Sequence, residues 1–186
     1  MSHLAPVSYT PPGWLFKHAE LHKVLDERLH WIRHDNAPRD EYYVARDGRD
    51  YAYKAYGGMR TYHSQPLHPV IQTIWDAVER RVDTRFDAVF LNRYADGSDH
   101  LGWHSDDGET MDDSRPIAIV SLGAIREIWF RPVKVETADV EKIVLQSGSL
   151  TLMARGMQDT HQHRIPKASY AQAGSRISLT FRGLTP

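Results

Sequence analysis

The sequence predicts an α+β fold, a double-stranded β-helix (jelly roll) with N-terminal helices packed on one of its sheets. Three observations predict it. Two N-terminal segments, one starting near Phe16 and one near Val70, repeat apolar residues at spacings of three and four. From Phe86 onward the period drops to two, and about eight short alternating segments follow one another. Turn chemistry separates them at Asp96-Gly97, the loop 107–116, Pro132, Ser147-Gly148 and the loop 167–174.

Composition bounds the rest. The 186 residues fit one domain over 1–186, with an N-terminal extension over 1–60 and the jelly-roll core over 86–182. The absence of cysteine excludes a disulfide framework, thiolate zinc and a cysteine nucleophile. It fits an intracellular protein, cytoplasmic or, in a eukaryote, nuclear. No apolar run approaches the roughly 18 residues that span a bilayer, so no membrane is expected. With 23 basic against 24 acidic residues, no global charge argues for nucleic acid, although a local basic face remains open. Eleven histidines lower the weight of any single one.

In chain order, Pro6, Pro11, Pro12 and Gly13 predict an irregular lead-in. Leu21, Val24, Leu25, Leu29 and Ile32 then give a covering helix. Glu41 to Ala45 and Tyr51 to Tyr56 read as strands joined into a hairpin by Asp47-Gly48 and ended by Gly57-Gly58. Val70, Ile71, Ile74, Trp75, Val78 and Val82 form the second helix. The strands that follow are Ala88 to Tyr94, Leu101 to Asp106, Ile117 to Leu122, Ile125 to Arg131, Val140 to Gln146, Ser149 to Met153, His161 to Ile165 and Ser175 to Phe181.

Two constellations carry chemistry. In an extended His104-Ser105-Asp106, alternation turns the imidazole and the carboxylate the same way. A second histidine from far along the chain, with His163 the candidate, completes the two-histidine, one-carboxylate face that non-haem Fe(II) uses. The last strand puts Arg176, Ser178, Thr180 and Arg182 on one face and Ile177, Leu179 and Phe181 on the other. Guanidinium groups at both ends of a polar face suit a small dicarboxylate, although an edge strand with solvated arginines reads the same way. Asn92 and Tyr94 share a face just upstream and can donate to the same small molecule.

Taken together, Asn92-x-Tyr94, Gly97, Asp99-His100, His104-x-Asp106, His163 followed by Pro166, and Arg176 followed by Arg182 resemble the AlkB family of Fe(II) and 2-oxoglutarate dioxygenases. The likeness is closest to its DNA-repair members. It implies His104, Asp106 and His163 as iron ligands and catalytic centre. It implies Asn92, Tyr94, Arg176 and Arg182 as the groups that hold 2-oxoglutarate, with Ser178 between the arginines. The spacing to Pro166 favours His163 over His161, and alternation favours Asp106 over Asp107.

The resemblance implies oxidative demethylation of N-alkylated bases with Fe(II), O2 and 2-oxoglutarate, giving succinate, carbon dioxide and formaldehyde. Its partner is alkylated nucleic acid, DNA ahead of RNA, bound by a monomer. The segment Tyr51 to Arg60 resembles a nucleotide-recognition lid, with Tyr53, Tyr56 and Arg60 toward substrate and Asp107 near the base. One departure is Gly108, two residues beyond Asp106, where the family often has an acid. The same machinery acting on a protein side chain or small molecule is the rival reading, because iron and 2-oxoglutarate residues do not encode substrate. A degenerate binding module and a zinc hydrolase are further alternatives; the intact triad and both arginines argue against the first, and 2-oxoglutarate dependence tests the second.

Overall fold

Apolar periodicity and end chemistry set the helices. In α2 (Pro69–Val82), Pro69 opens the first turn and His68 Nδ1 accepts from the Val70 amide. Ile71, Ile74, Trp75 and Val78 then fall on one face and are fully buried. The first helix, α1, is shorter than its apolar pattern suggests. It spans His18–Arg28, and Ile32 instead bridges to Glu41. The computed structural model describes residues 5–35, 37–55, 58–133, 140–168 and 173–186.

Twelve strands are described: β1 (Val7–Thr10), β2 (Asp40–Ala45), β3 (Tyr51–Ala55), β4 (Gly58–Tyr62), β5 (Ala88–Tyr94), β6 (Leu101–His104), β7 (Ile117–Gly123), β8 (Arg126–Pro132), β9 (Glu141–Leu145), β10 (Ser149–Met153), β11 (His161–Ile165) and β12 (Arg176–Arg182). They form a six-stranded sheet in the order β1-β10-β7-β12-β5-β2, a four-stranded sheet in the order β6-β11-β8-β9, and the hairpin β3-β4. All pairings within these sheets are antiparallel, and the two large sheets give the expected jelly roll.

The core divides into layers. Leu25 of α1 and the buried face of α2 pack on Ile177, Leu179 and Phe181 of β12 and on Val89 and Leu91 of β5. A second cluster fills the space between the sheets, with Ile117, Ile119, Ile128, Phe130, Leu145 and Ile165. The alternation read along the last strand therefore holds: its apolar face goes to the helices and its polar face into the sandwich. This strand is not an edge. It pairs with β5 on one side and β7 on the other.

The N-terminal half differs from expectation in three ways. The lead-in contains β1, which pairs along the outer side of β10, where prolines at its two ends remove no interior ladder bond. Asp47-Gly48 is a turn, with Gly48 at φ 76, but β2 and β3 do not pair. All six residues of β2 are buried, and it takes β5 as partner, while β3 pairs with β4. The hairpin is thus displaced by one strand, and Gly58 opens β4 rather than ending the element. Gly57 lies outside the described residues.

Candidate active site

Register builds the site from the inside of the sandwich. Ser178 lies opposite Asn92 on β5 and Ser121 on β7, and Arg176 lies opposite Tyr94 and Gly123. On the facing sheet, His163 of β11 pairs with His104 of β6. The predicted residues from four separate strands therefore meet between the two sheets.

β6 ends at His104, two residues earlier than expected, yet the Asp106 carboxylate still turns back beside the imidazoles. His104 Nε2 lies 3.7 Å from Asp106 Oδ1, and His163 Nε2 lies 3.9 Å from Oδ2. One donor atom from each of the three falls within 4.8 Å of the others. The two imidazole rings are 4.2 Å apart, centre to centre. His104 Nδ1 lies 2.9 Å from the Gly102 carbonyl, and donating there leaves Nε2 as a lone pair facing the cluster. His161, two residues from His163 on the same buried side, contacts Thr160 Oγ1 through Nδ1 and does not join the set.

The electrostatics suit a cation. Burial, then the neighbouring His104, pushes the His163 imidazole down to about 3, so it is neutral and able to ligate. Desolvation lowers His104 as well. For Asp106, burial raises the carboxyl, but Arg182, His163 and His104 together hold it below the ordinary carboxylate range. Asp106 Oδ2 is buried without a hydrogen-bond partner, which a metal ion at the centre of the triad supplies. Two neutral imidazoles and one carboxylate fit Fe(II) in number, type and spacing.

The dicarboxylate side fits equally well. Arg176 is fully buried; its Nε donates to Ser121 Oγ at 2.8 Å, while Nη1 and Nη2 have no hydrogen-bond partner. Burial pushes this guanidinium down to about 10, which a paired carboxylate reverses. Its carbon lies 5.1 Å from the centre of the Tyr94 ring. Arg182 reaches the metal end of the pocket, with Nη2 2.8 Å from Asp106 Oδ1.

Two contributors escaped sequence reading. Arg39 lines the pocket, donates from Nε to Asn92 Oδ1 at 2.6 Å, and pairs through Nη2 with the buried Glu41 at 2.7 Å. Its alternation with Glu41 across Asp40 was the available signal, hidden among dispersed charges. Gln158, in the short 3-10 turn Met157–Asp159, accepts the Asp106 amide through Oε1 at 2.8 Å. No local pattern marks it.

The pocket above the triad has a volume of about 120 Å³. Asp107 and Gly108 line it, as do Tyr51 of β3 and Tyr62 of β4. These two tyrosines stack at 6.2 Å and 22°, and Tyr62 meets Phe90 edge-on at 4.7 Å. The tyrosines on the pocket wall are thus Tyr51 and Tyr62, with Phe90 beside them. Tyr53 pairs in register with Arg60, but its side chain, like all of Tyr56, lies outside the described residues. Arg60 Nη1 lies 3.9 Å from Glu41 Oε2. A Cβ at Gly108 would stand 2.7 Å from the Tyr51 hydroxyl oxygen, so Tyr51 occupies the space a side chain there needs.

The family described as the 2OG-Fe(II) oxygenase superfamily matches residues 12–182. A protein named DNA oxidative demethylase ALKBH2, from Arabidopsis thaliana, is 32% identical over 85% of this chain and 59% of its own length. One named alpha-ketoglutarate-dependent dioxygenase alkB homolog 3, from Homo sapiens, is 36% identical over 64% of this chain and 44% of its own. The chain thus spans about half the length of these curated relatives. A solved structure described as "The structure of OsALKBH1" has a TM-score of 0.65 at 14% identity, covering 98% of this chain and 100% of that one, a likeness of fold.

Proposed function

We propose, from the premise that the chain belongs to the 2OG-Fe(II) oxygenase superfamily, that it demethylates N-alkylated bases in nucleic acid, of the N1-methyladenine and N3-methylcytosine type, with DNA ahead of RNA. The observation that carries the reading is that both halves of the machinery are buried on facing sheets of the same sandwich. His104, Asp106 and His163 surround a cation-sized space, and Arg176 offers two unpartnered nitrogens to a carboxylate. The name of the Arabidopsis thaliana relative, a DNA oxidative demethylase, supports the substrate class.

When bound, iron and 2-oxoglutarate supply the oxidative chemistry: O2 is consumed, the cosubstrate leaves as succinate and carbon dioxide, and the hydroxylated methyl group leaves as formaldehyde. The chain's own residues prepare it. His104 Nε2, Asp106 and His163 Nε2 would hold the metal, and the Gly102 carbonyl fixes the His104 tautomer. Arg176 would pair with one carboxylate of 2-oxoglutarate, and Tyr94, Asn92 and Ser178, in register with it on β5 and β12, would supply further hydrogen bonds. Arg182 neutralises Asp106 and guards the metal-proximal end. Tyr51 and Tyr62 wall the entrance at which a base, taken out of its stack, presents its methyl group. The hairpin β3-β4, with Tyr53, Tyr56 and Arg60, acts as the lid, and Asp107 reaches the base edge. All three metal donors come from one chain, so a monomer suffices, acting inside the cell.

The test is turnover across methylated oligonucleotides, with succinate and formaldehyde both quantified. Equimolar release of the two, stimulated by a methylated strand and not by its unmethylated twin, is expected. Succinate without formaldehyde for every methylated DNA and RNA would overturn the reading. That outcome favours a protein or small-molecule oxygenase, to which the acidic run Asp107, Glu109, Asp112 and Asp113, of which Asp107 lines the pocket, would be less hostile than to phosphates.

A further inference from the structure

The outer face of the four-stranded sheet carries chemistry that the pocket does not use. Along β8 and β11, Ile128, Phe130, His161, His163 and Ile165 point inward and are buried, which sends Trp129, Arg131, Gln162 and Arg164 outward. Across the strands these groups interleave. The Arg131 guanidinium lies 4.3 Å from the centre of the Trp103 indole. Arg164 stands between Trp103, at 5.5 Å, and Trp129, at 4.9 Å, and Lys142 of β9 covers Trp129 at 4.3 Å. The ladder crosses every strand of the sheet, starting on the edge strand β6 one residue before His104.

These cations differ from several arginines elsewhere in the chain. Arg33, Arg39, Arg46, Arg85, Arg93 and Arg115 each pair with a carboxylate. Among the described residues, Arg131, Arg164 and Lys142 form no ion pair; Arg131 donates instead to the neutral Gln162 at 3.0 Å. Among the described residues on this part of the face the carboxylate is Glu127, which accepts from Trp129 Nε1 at 2.7 Å. Among the described residues, three cations on one face thus have no ion-pair partner, in a chain of nearly balanced charge. Beside Trp129 and Arg164 a groove of about 690 Å³ opens toward His100 and Lys167.

We propose that this face is a second nucleic-acid contact surface, holding the single-stranded segment that flanks the base in the pocket. Phosphates answer the cations, which the indole faces beneath hold in a row across the sheet that a sugar–phosphate backbone can follow. The edge position of β6 makes the two sites continuous, since His104 lines the pocket and Trp103 begins the ladder. The proposal rests on the pocket's being a base site, and its test is separable from that reading.

The experiment measures binding of an unmethylated single strand of about 16 nucleotides to the metal-loaded protein by fluorescence anisotropy across a salt series. The variants are Arg131→Gln/Arg164→Gln and Lys142→Gln, which keep bulk and leave the metal and dicarboxylate groups intact. The double variant is expected to bind about tenfold more weakly and to lose about 1.4 from the salt slope, two phosphates at ~0.7 each. A methylated trinucleotide, too short to reach the face, should be turned over as by the wild type. Equal affinity and an equal salt slope in wild type and double variant would overturn the proposal, as would polyglutamate competing as well as the strand. Failure of the pocket reading looks different: no formaldehyde from any methylated strand, with binding to this face unchanged.

Discussion

Arg39 Nε donates to Oδ1 of Asn92 across 2.6 Å, which fixes the carboxamide so that its Nδ2 is the atom left to donate into the pocket. The Glu41 carboxylate anchors Arg39 from behind at 2.7 Å. Removing Arg39 frees the amide to turn and strips a buried carboxylate of its main partner. Arg39→Ala is expected to weaken 2-oxoglutarate binding by about 1.5 to 3 kcal/mol, the size of a hydrogen bond to a charged group. Calorimetry with a redox-inert metal reads it, and cosubstrate affinity equal to wild type would refute the positioning role. Arg39→Lys should restore stability through Glu41 but not the affinity.

His104→Ala, Asp106→Ala and His163→Ala are each expected to abolish turnover and metal retention, while His161→Ala keeps most of both. Iron titration decides between the two histidines of β11. Loss of metal by the His161 variant with retention by the His163 variant reverses the assignment.

Arg176→Ala and Arg182→Ala are each expected to cost about 2 to 5 kcal/mol in 2-oxoglutarate binding, since the partner carboxylate is left desolvated. Lysine should rescue poorly at Arg176, where the two-nitrogen fork is the useful feature. Arg182→Ala should also loosen metal binding at low pH, because Asp106 loses the guanidinium that keeps it ionised. Unchanged cosubstrate affinity in both variants contradicts the dicarboxylate role.

The metal-free protein should lose stability as pH falls from 6.5 toward about 3. His163 is depressed by burial, so within that window the unfolded chain binds a proton that the folded chain refuses, and stability drops as protons become available. Asp106, also depressed, adds to the loss once pH falls below 3.8. Thermal unfolding across pH measures this, and His163→Gln should flatten the upper part of the profile. A wild-type profile as flat as the variant's would contradict the sign argued here.

Gly108→Ala should disturb base binding without touching the metal, because its methyl group meets the Tyr51 hydroxyl. Overpacking of this kind costs about 1 to 3 kcal/mol, read as a raised KM for methylated oligonucleotide at unchanged 2-oxoglutarate KM. Adding Tyr51→Phe should relieve it. A double variant no better than Gly108→Ala alone means that the contact with Tyr51 is not the cause.

Much of this was legible in the sequence because the informative features are local. Alternation along Arg176 to Arg182 sorted every side chain of that strand to its observed face, and His104 and Asp106 do come together, although the strand ends at His104 and Asp106 turns back from the loop beyond it. What alternation cannot give is a neighbour. The Asp47-Gly48 turn was recognised, but nothing local says that β2 will bury both faces against β5 and leave β3 to find β4. Arg39 and Gln158 were missed for the same reason, since each acts through a partner dozens of residues away. The Tyr-rich segment was recognised as a unit, yet which tyrosines wall the pocket follows from the corrected pairing that sets Tyr51 against Tyr62.

The strand that ends in His104 is four residues long and has a neighbour on one side only, whereas β11, which carries His163, is flanked on both. Short edge strands fray first, since little packing opposes their release. One ion held in common would tie His104 and Asp106, on and just past the edge strand, to His163 on the strand paired on both sides, as a clasp across a seam. Loading the metal would then order the edge strand and the stretch of pocket wall that His104 and Asp106 line as one event.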